Sequence, residues 1–291
     1  MSAAYYRFRV GDFDCVAVSD GTFTYHDPAR TLFVNAPHAD LGRALRDHGI
    51  DPERWPEFVS PYTCLAVDTG AHRVLIDTGA GRLGPDTGRL RDNLRAAGLA
   101  PEAIDTVILS HAHPDHLGGN LDDAGRPAFP NARYVLGRTE WACWTAGPGL
   151  TGPAAHGTAQ DAMRRVARDN LLPLADRIDL LDGEDEAVPG IRAVAAPGHT
   201  PGHLALLLTS AGERLLYAAD IALHPVQLAH PDWYAAVDAL PEQTVATRRR
   251  LLDRAAAEGL RLHLFHFPFP GLGRVARHGD GWAWRALAPG E

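Results

Sequence analysis

The chain has 291 residues, of which 45% are hydrophobic and 22% charged, so it is long enough to bury a sizeable core and ordinary in composition for a globular protein. Its formal net charge is −8, every one of its 28 basic residues is arginine, and the densest basic run, Arg248-Arg249-Arg250, falls in an apparent helix. That pattern disfavours phosphate-driven nucleic-acid binding, and no apolar run reaches membrane-spanning length.

The N-terminal third reads as short strands at Tyr5–Val10, Cys15–Ser19, Thr63–Asp68 and Arg73–Asp77, each bounded by Gly, Asp or Pro. Its start lacks a basic segment followed by an apolar stretch, which leads us to expect a cytoplasmic protein. Residues 28–60 interrupt the strands with a mixed segment holding a short helix near Leu41–His48. Cys15 and Cys64 sit in apolar strand contexts and form no CxxC pair with Cys143, so they read as buried small hydrophobes. The stretch "DTGRLRDNLRAAGL" (86–99) has helical apolar spacing and a closing glycine, and "IDTVILS" (104–110) reads as a strand buried on both faces.

The second half repeats the alternation. Strands are expected at Ala132–Leu136, Ile178–Leu181, Ile191–Ala195, Leu204–Thr209 and Arg214–Ala219, and helices at Glu140–Ala146, Gln160–Asn170 and Glu242–Glu258. A strand over 260–267 and a closing hairpin over 273–287 follow, and the irregular loop 146–157 is a candidate pocket rim. With no Gly/Ser linker between the matched halves, the expectation is one domain over 1–291. Its architecture would be α/β, with two sheets face to face and helices outside, an αββα sandwich of four layers.

The chemistry concentrates in "SHAHPDHLGG" (110–119), directly after the buried strand, where α/β folds place their sites. His111 and His113 are two apart and project to the same side of an extended segment, which Pro114 favours at His113. Asp115 and His116 are adjacent and must point differently, an arrangement suited to two neighbouring ions. Further candidates lie downstream: His199 in "APGHTPGH", Asp220 closing "LLYAAD", and a late histidine in "LHLFHFPFPG".

With its HxHxDH motif and these partners in order, the chain resembles the metallo-β-lactamase-fold superfamily over roughly residues 5–287. The resemblance implies that His111, His113 and His199 hold one metal and that Asp115, His116 and the late histidine hold a second, with Asp220 bridging. For the late ligand we take His266, since strand exit and "FPFPG" match the end of the family pattern; His263 falls on the opposite side of an extended strand. The implied cofactors are two divalent ions, zinc best, with manganese, cobalt or iron also fitting a mixed nitrogen/oxygen set. The implied activity is hydrolysis by a metal-bridging hydroxide, with Asp115 orienting it and shuttling its proton, on a small-molecule substrate. Asp77 in "LIDTGAG" is expected behind the ligands, orienting a histidine N–H, and His203 in a supporting role.

The stretches "LIDTGAG", "ADIALHPVQLAHPDW" and "HFPFPGLGRV" are most similar to the branch containing methyl parathion hydrolase and N-acyl homoserine lactonase-like enzymes, so lactones, esters or phosphotriesters are the expected substrates. Homoserine lactonases carry a tyrosine three residues after the bridging aspartate, where this chain has Leu223. A thioesterase of glyoxalase II type and a mononuclear-iron dioxygenase stay open on the motif alone, and dimerisation is suggested by the resemblance only. Trp141, Trp144, Trp233, Phe267 and Phe269 are candidates for a pocket wall, each more readily assigned to the core; His224 and His230 are weaker candidates.

Overall fold

The computed structural model describes residues 4–146 and 158–288. Two seven-stranded sheets carry the chain in sequence order. The first runs β1 (Tyr5–Val10), β2 (Phe13–His26), β3 (Glu57–Asp68), β4 (Arg73–Ile76), β5 (Thr106–Ile108), β6 (Arg133–Gly137) and β7 (Ile178–Leu181). The second holds β8 (Glu186–Val188), β9 (Ile191–Ala195), β10 (Leu204–Ser210), β11 (Glu213–Ala219), β12 (Arg261–Leu264), β13 (Leu272–His278) and β14 (Gly281–Ala286). Antiparallel hairpins build β1 to β4, and parallel crossovers add β5, β6 and β7. In the second sheet the parallel pair is β11 with β12.

Strand alternation creates the layers. Leu206, Leu208, Leu215 and Tyr217 join Val16, Val18, Leu65 and Ile76 in the core between the sheets. Their neighbours Ala205, Leu216 and Ala218 face the other way, where they meet Leu251, Leu252 and Ala255 of the long helix α8 (Pro241–Glu258). On the first sheet the covering helices are α3 (Leu90–Ala96), α5 (Arg138–Thr145) and α6 (Thr158–Leu171). Leu90 and Leu94 of α3 and Ala167 and Leu171 of α6 are buried in the same central cluster. This is the αββα sandwich expected from the alternation. No helix among the described residues is long and apolar enough to cross a membrane.

Two expectations need correction, and a third falls mostly outside the described residues. The strands expected at Cys15–Ser19 and Thr63–Asp68 are the inner halves of a much longer ribbon, β2 with β3, paired from Asp14↔Asp68 out to His26↔Glu57 with a register shift between Ser19 and Gly21. The helix expected across 86–99 begins only at Leu90, because Gly88 takes a φ of 82°. Its first turn is capped from a distance instead: Asp20, on β2, accepts the Leu90 N–H at 3.0 Å and the Ala80 N–H at 2.9 Å. Of the loop expected over 146–157, residues 147–157, including His156, lie outside the described residues.

The short helices α1 (Pro28–Leu32), α2 (His38–Asp47), α4 (Pro114–Leu117) and α7 (Val226–Ala229) sit on connections. What matters for function is where the strands end. β5, β9, β11 and β12 all finish at one edge of the sandwich, and each is followed within a few residues by a histidine or aspartate.

Candidate metal centre

The seven candidate residues come from four separate segments and meet at that edge. His111 follows β5, His113 is the extended N-cap residue of α4 (φ −70°, ψ 151°), and Asp115 and His116 lie on α4 itself. His199 follows β9, Asp220 closes β11, and His266 lies in the turn after β12. All are buried except Asp115, whose side chain is 18% exposed against 0–2% for His111, His116, His199, Asp220 and His266.

Their donor atoms form three groups within 4.8 Å: His111/His113/His199, His111/His116/Asp220 and Asp115/His116/His266. Asp220 stands between the outer two. Its Oδ2 lies 3.1 Å from His266 Nε2, 3.2 Å from His199 Nε2, 3.3 Å from His116 Nε2 and 3.9 Å from His111 Nε2. His113 turns Nδ1 inward, 2.9 Å from His199 Nε2.

Each of four imidazoles is held from behind through Nδ1. His111 meets Ser110 Oγ at 3.0 Å, His116 meets Asp77 Oδ2 at 2.8 Å, His199 meets Asp238 Oδ1 at 2.8 Å and His266 meets Ser60 Oγ at 3.0 Å. These bonds direct the Nε2 atoms to the centre. Asp77 sits at the strand end in a left-handed conformation (φ 60°) and also accepts from Ser110 N–H, Ser110 O–H and Tyr217 O–H. His203 supports Asp220: its Nδ1–H donates to Ala196 C=O at 3.0 Å, and its Nε2 faces the Asp220 N–H at 3.3 Å. His263, on β12, joins none of these donor groups and stacks on Tyr217 with ring centroids 4.9 Å apart.

The electrostatics are those of a site prepared for cations. Burial, then the neighbouring imidazoles, holds His111 well below the ordinary histidine value. For His199, burial alone would lower it, yet the carboxylates of Asp220 and Asp238 prevail and lift it to about 9. His116 is raised in the same way by Asp220, Asp77 and Asp115 despite its burial. Burial would push the Asp220 carboxyl up, but His266 and His116 outweigh that and hold it well below the usual carboxylate range.

Among the seven candidate residues, three buried side-chain atoms have no hydrogen-bond partner: His111 Nε2, His116 Nε2 and Asp220 Oδ1. Orphaned buried lone pairs are costly. Here they converge with further imidazole and carboxylate donors, a set matched to borderline divalent cations, so the residues fit metal ions.

The centre forms the floor of a cavity of about 290 Å³. Its walls are Phe23 and Tyr25 of β2, Tyr62 of β3, and Leu83, Met163, Leu223 and Val237. None of the five aromatics proposed from sequence lines it. Phe267 and Trp233 are buried in separate clusters, and Trp141 and Trp144 pack against the central core. Trp144 reaches the site indirectly, its ring 5.4 Å from that of His113. His224 is enclosed by Phe33, Trp55 and Phe58, and His230 stacks on Trp233, so neither reaches the cavity. Sequence reasoning missed Ser60, Asp238 and Glu140, whose neighbourhoods carry no motif.

Comparison with known proteins places the chain in a family. The family model described as the metallo-beta-lactamase superfamily matches residues 58–266. An N-acyl homoserine lactonase from Bacillus sp is 31% identical over 120 residues, covering 41% of this chain and 39% of that protein. The N-acyl homoserine lactonase AttM of Azorhizobium caulinodans is 31% identical over 180 residues, covering 58% of this chain and 62% of that one. The chain thus spans less than two thirds of the length of these curated relatives. Among solved structures, AidC, described as a dizinc quorum-quenching lactonase in complex with a product, superposes with a TM-score of 0.90 at 25% identity, covering 98% of both chains. Hydrolase AbOPH, described as in the beta lactamase superfamily, gives a TM-score of 0.89 at 27% identity and 99% coverage of both. With the family model spanning most of its length, the chain belongs to the metallo-beta-lactamase superfamily.

Proposed function

We propose that this chain is a metal-dependent hydrolase of lactones and esters working through two divalent ions. His111, His113 and His199 would hold one ion, Asp115, His116 and His266 the other, and Asp220 would be shared. The observation that carries this reading is the convergence of two donor triads on a single carboxylate at the floor of an apolar, aromatic-walled cavity. Zinc suits the donors best, and manganese, cobalt or iron would be tolerated by the mixed set. When bound, such ions polarise a carbonyl or phosphoryl oxygen and lower the pKa of a nucleophilic water toward neutrality.

The chain's own residues supply the remainder. Asp115 faces the cavity and is the most exposed carboxylate of the cluster, so it is placed to take a proton from the attacking water and return it to the leaving oxygen. The Nδ1 bonds to Ser110, Asp77, Asp238 and Ser60 fix ring orientation. Phe23, Tyr25, Tyr62, Leu83 and Leu223 exclude water and offer apolar contact to an acyl or aryl group. The lactonase relatives and the AidC likeness support lactones as the leading class. Phosphotriester hydrolysis is the finer extension: an aryl phosphotriester is neutral and apolar, and its phosphoryl oxygen would need the same polarisation.

The test is a metal count on the full chain followed by hydrolysis of N-acyl homoserine lactones, simple lactones, aryl esters, thioesters and aryl phosphotriesters. Two ions per chain with lactone or ester turnover, abolished by chelation and restored by zinc, is the expected result. A metal-loaded chain that cleaves none of them refutes the proposal. One iron per chain with oxygen uptake would establish the dioxygenase reading in its place, and turnover confined to thioesters the glyoxalase II reading.

A further inference from the structure

Outside the seven donors, the buried carboxylate of Glu140 has no role in the reading above. Glu140 lies on α5 and is fully buried. It occupies the third helical position after the N-cap residue Gly137, where a glutamate ordinarily folds back onto its own helix start. Here it reaches outward to two loops. Its Oε1 accepts the Ala112 N–H at 2.9 Å, and Ala112 lies between His111 and His113. Its Oε2 accepts the Gly202 N–H at 2.8 Å and the Thr200 O–H at 2.8 Å, and Thr200 follows His199.

The surrounding backbone is shaped for this contact. A Cβ on Gly202 would lie 2.2 Å from the Glu140 backbone nitrogen, so only glycine lets the His199 loop come this close to α5. One turn further along α5, Trp144 sets its ring against His113. A single short helix therefore touches all three residues of the first donor triad through their neighbours or rings.

We propose that Glu140 is a positioning residue: it locks the His111–His113 segment to the His199 loop and so fixes the spacing of the first donor triad. The inference rests on the two-ion reading but concerns a residue that touches neither ion nor substrate. Its chemistry is specific. Each carboxylate oxygen faces a backbone N–H, so both must accept. A glutamine can offer one carbonyl oxygen only, and in either orientation its NH2 opposes the N–H of Ala112 or of Gly202.

The experiment uses the full chain with zinc, and with cobalt as a spectroscopic probe. E140Q is expected to lower zinc affinity at one of the two sites by about 10- to 100-fold in chelator competition, the usual range for losing a supporting hydrogen bond. The other site should stay within about threefold, and the cobalt absorption of the weakened site should change. Lactone turnover at limiting zinc should fall in kcat with little change in KM. T200V removes the hydroxyl donor alone from a side chain of nearly the same shape, and a loss of about threefold is expected at the same site. It carries the test if E140Q folds poorly. Wild-type zinc affinity and cobalt spectra in T200V, and in E140Q where it folds, would overturn the inference while leaving the two-ion reading intact. A wild-type chain that takes up no zinc would overturn both.

Discussion

Asp77 offers the sharpest separation between support of the fold and support of the metal centre. It is fully buried and accepts four hydrogen bonds: Ser110 N–H at 2.7 Å on Oδ1, and Ser110 O–H at 2.8 Å, His116 Nδ1 at 2.8 Å and Tyr217 O–H at 2.7 Å on Oδ2. Asparagine tolerates the left-handed backbone at this position, so Asp77→Asn perturbs the bonds without straining the chain. The less costly amide orientation keeps oxygen toward the three donors and turns NH2 against the Ser110 N–H. One buried donor is then unsatisfied, costing about 1–3 kcal/mol, and the bond to His116 loses its charge assistance, roughly 1 kcal/mol more. Urea unfolding of the metal-free chain should therefore show a loss of about 2–4 kcal/mol, a midpoint lower by about 1 M. Because His116 is then less firmly aimed, zinc affinity should also fall by about 10- to 100-fold, or about 1.4–2.7 kcal/mol. Chelator competition measures the second quantity independently of the first. A destabilised variant that binds both zinc ions as tightly as wild type would refute the orienting role and leave Asp77 a structural residue.

Two other variants probe different links. Asp220→Ala removes the carboxylate that approaches four imidazoles, so at least one zinc per chain should be lost and turnover should drop by about 100-fold or more; retention of full metal content and rate would refute the shared role. Asp20 tests the balance between burial and backbone hydrogen bonding. Desolvation raises its carboxyl from 3.8 to about 6, against the opposing pull of backbone N–H groups at Leu90, Gly88, Ala80 and Arg89. A raised folded-state value means stability that is fully present below about pH 3.8 and lost as pH rises through about 6. The stability of wild type relative to Asp20→Asn should accordingly fall by up to about 3 kcal/mol between pH 4 and pH 7, measured by urea unfolding at each pH. A difference that is flat or rises with pH contradicts the assignment.

How much of this could be read from the sequence depends on whether a residue's role leaves a local trace. The cluster at 111–116 does, because it joins a rare spacing to a buried strand exit, and His199, Asp220 and His266 repeat the rule that each donor follows its own strand. The expected strand over 260–267 stops at Leu264, so strand parity does not decide between the two late histidines; His266 lies in the turn beyond the strand and joins a donor group, whereas His263, inside the strand, stacks on Tyr217. The sandwich was equally legible, since "IDTVILS" and its counterparts are too apolar to leave either face uncovered.

The cavity walls were illegible for a physical reason. Beyond the Ser19/Gly21 register shift the sequence of the β2–β3 ribbon reads as polar and interrupted: "DGTFTYH" against "EFVSPY". Sequence reasoning ended both strands there and sought aromatic walls among Trp141, Trp144, Trp233, Phe267 and Phe269 instead. The ribbon persists because its two strands pair with each other out to His26↔Glu57 and because Ser60 and Tyr62 are buried while Phe58 packs against the cluster of Leu32, Phe33 and Trp233. The same extension carries Phe23, Tyr25 and Tyr62 over the metal centre. Phe23 and Tyr25 have ring centroids 5.0 Å apart, and the ring of Tyr62 lies 5.3 Å from that of His266. Residues that fix the donors sit at strand ends, whereas the aromatic part of the wall sits on an excursion of one ribbon and Leu83, Met163, Leu223 and Val237 complete it from other segments. Leu223, where homoserine lactonases carry tyrosine, lies in that same wall. The donor set therefore speaks to the class of chemistry, and the substrate must be sought in the cavity wall, of which the ribbon supplies the aromatic part.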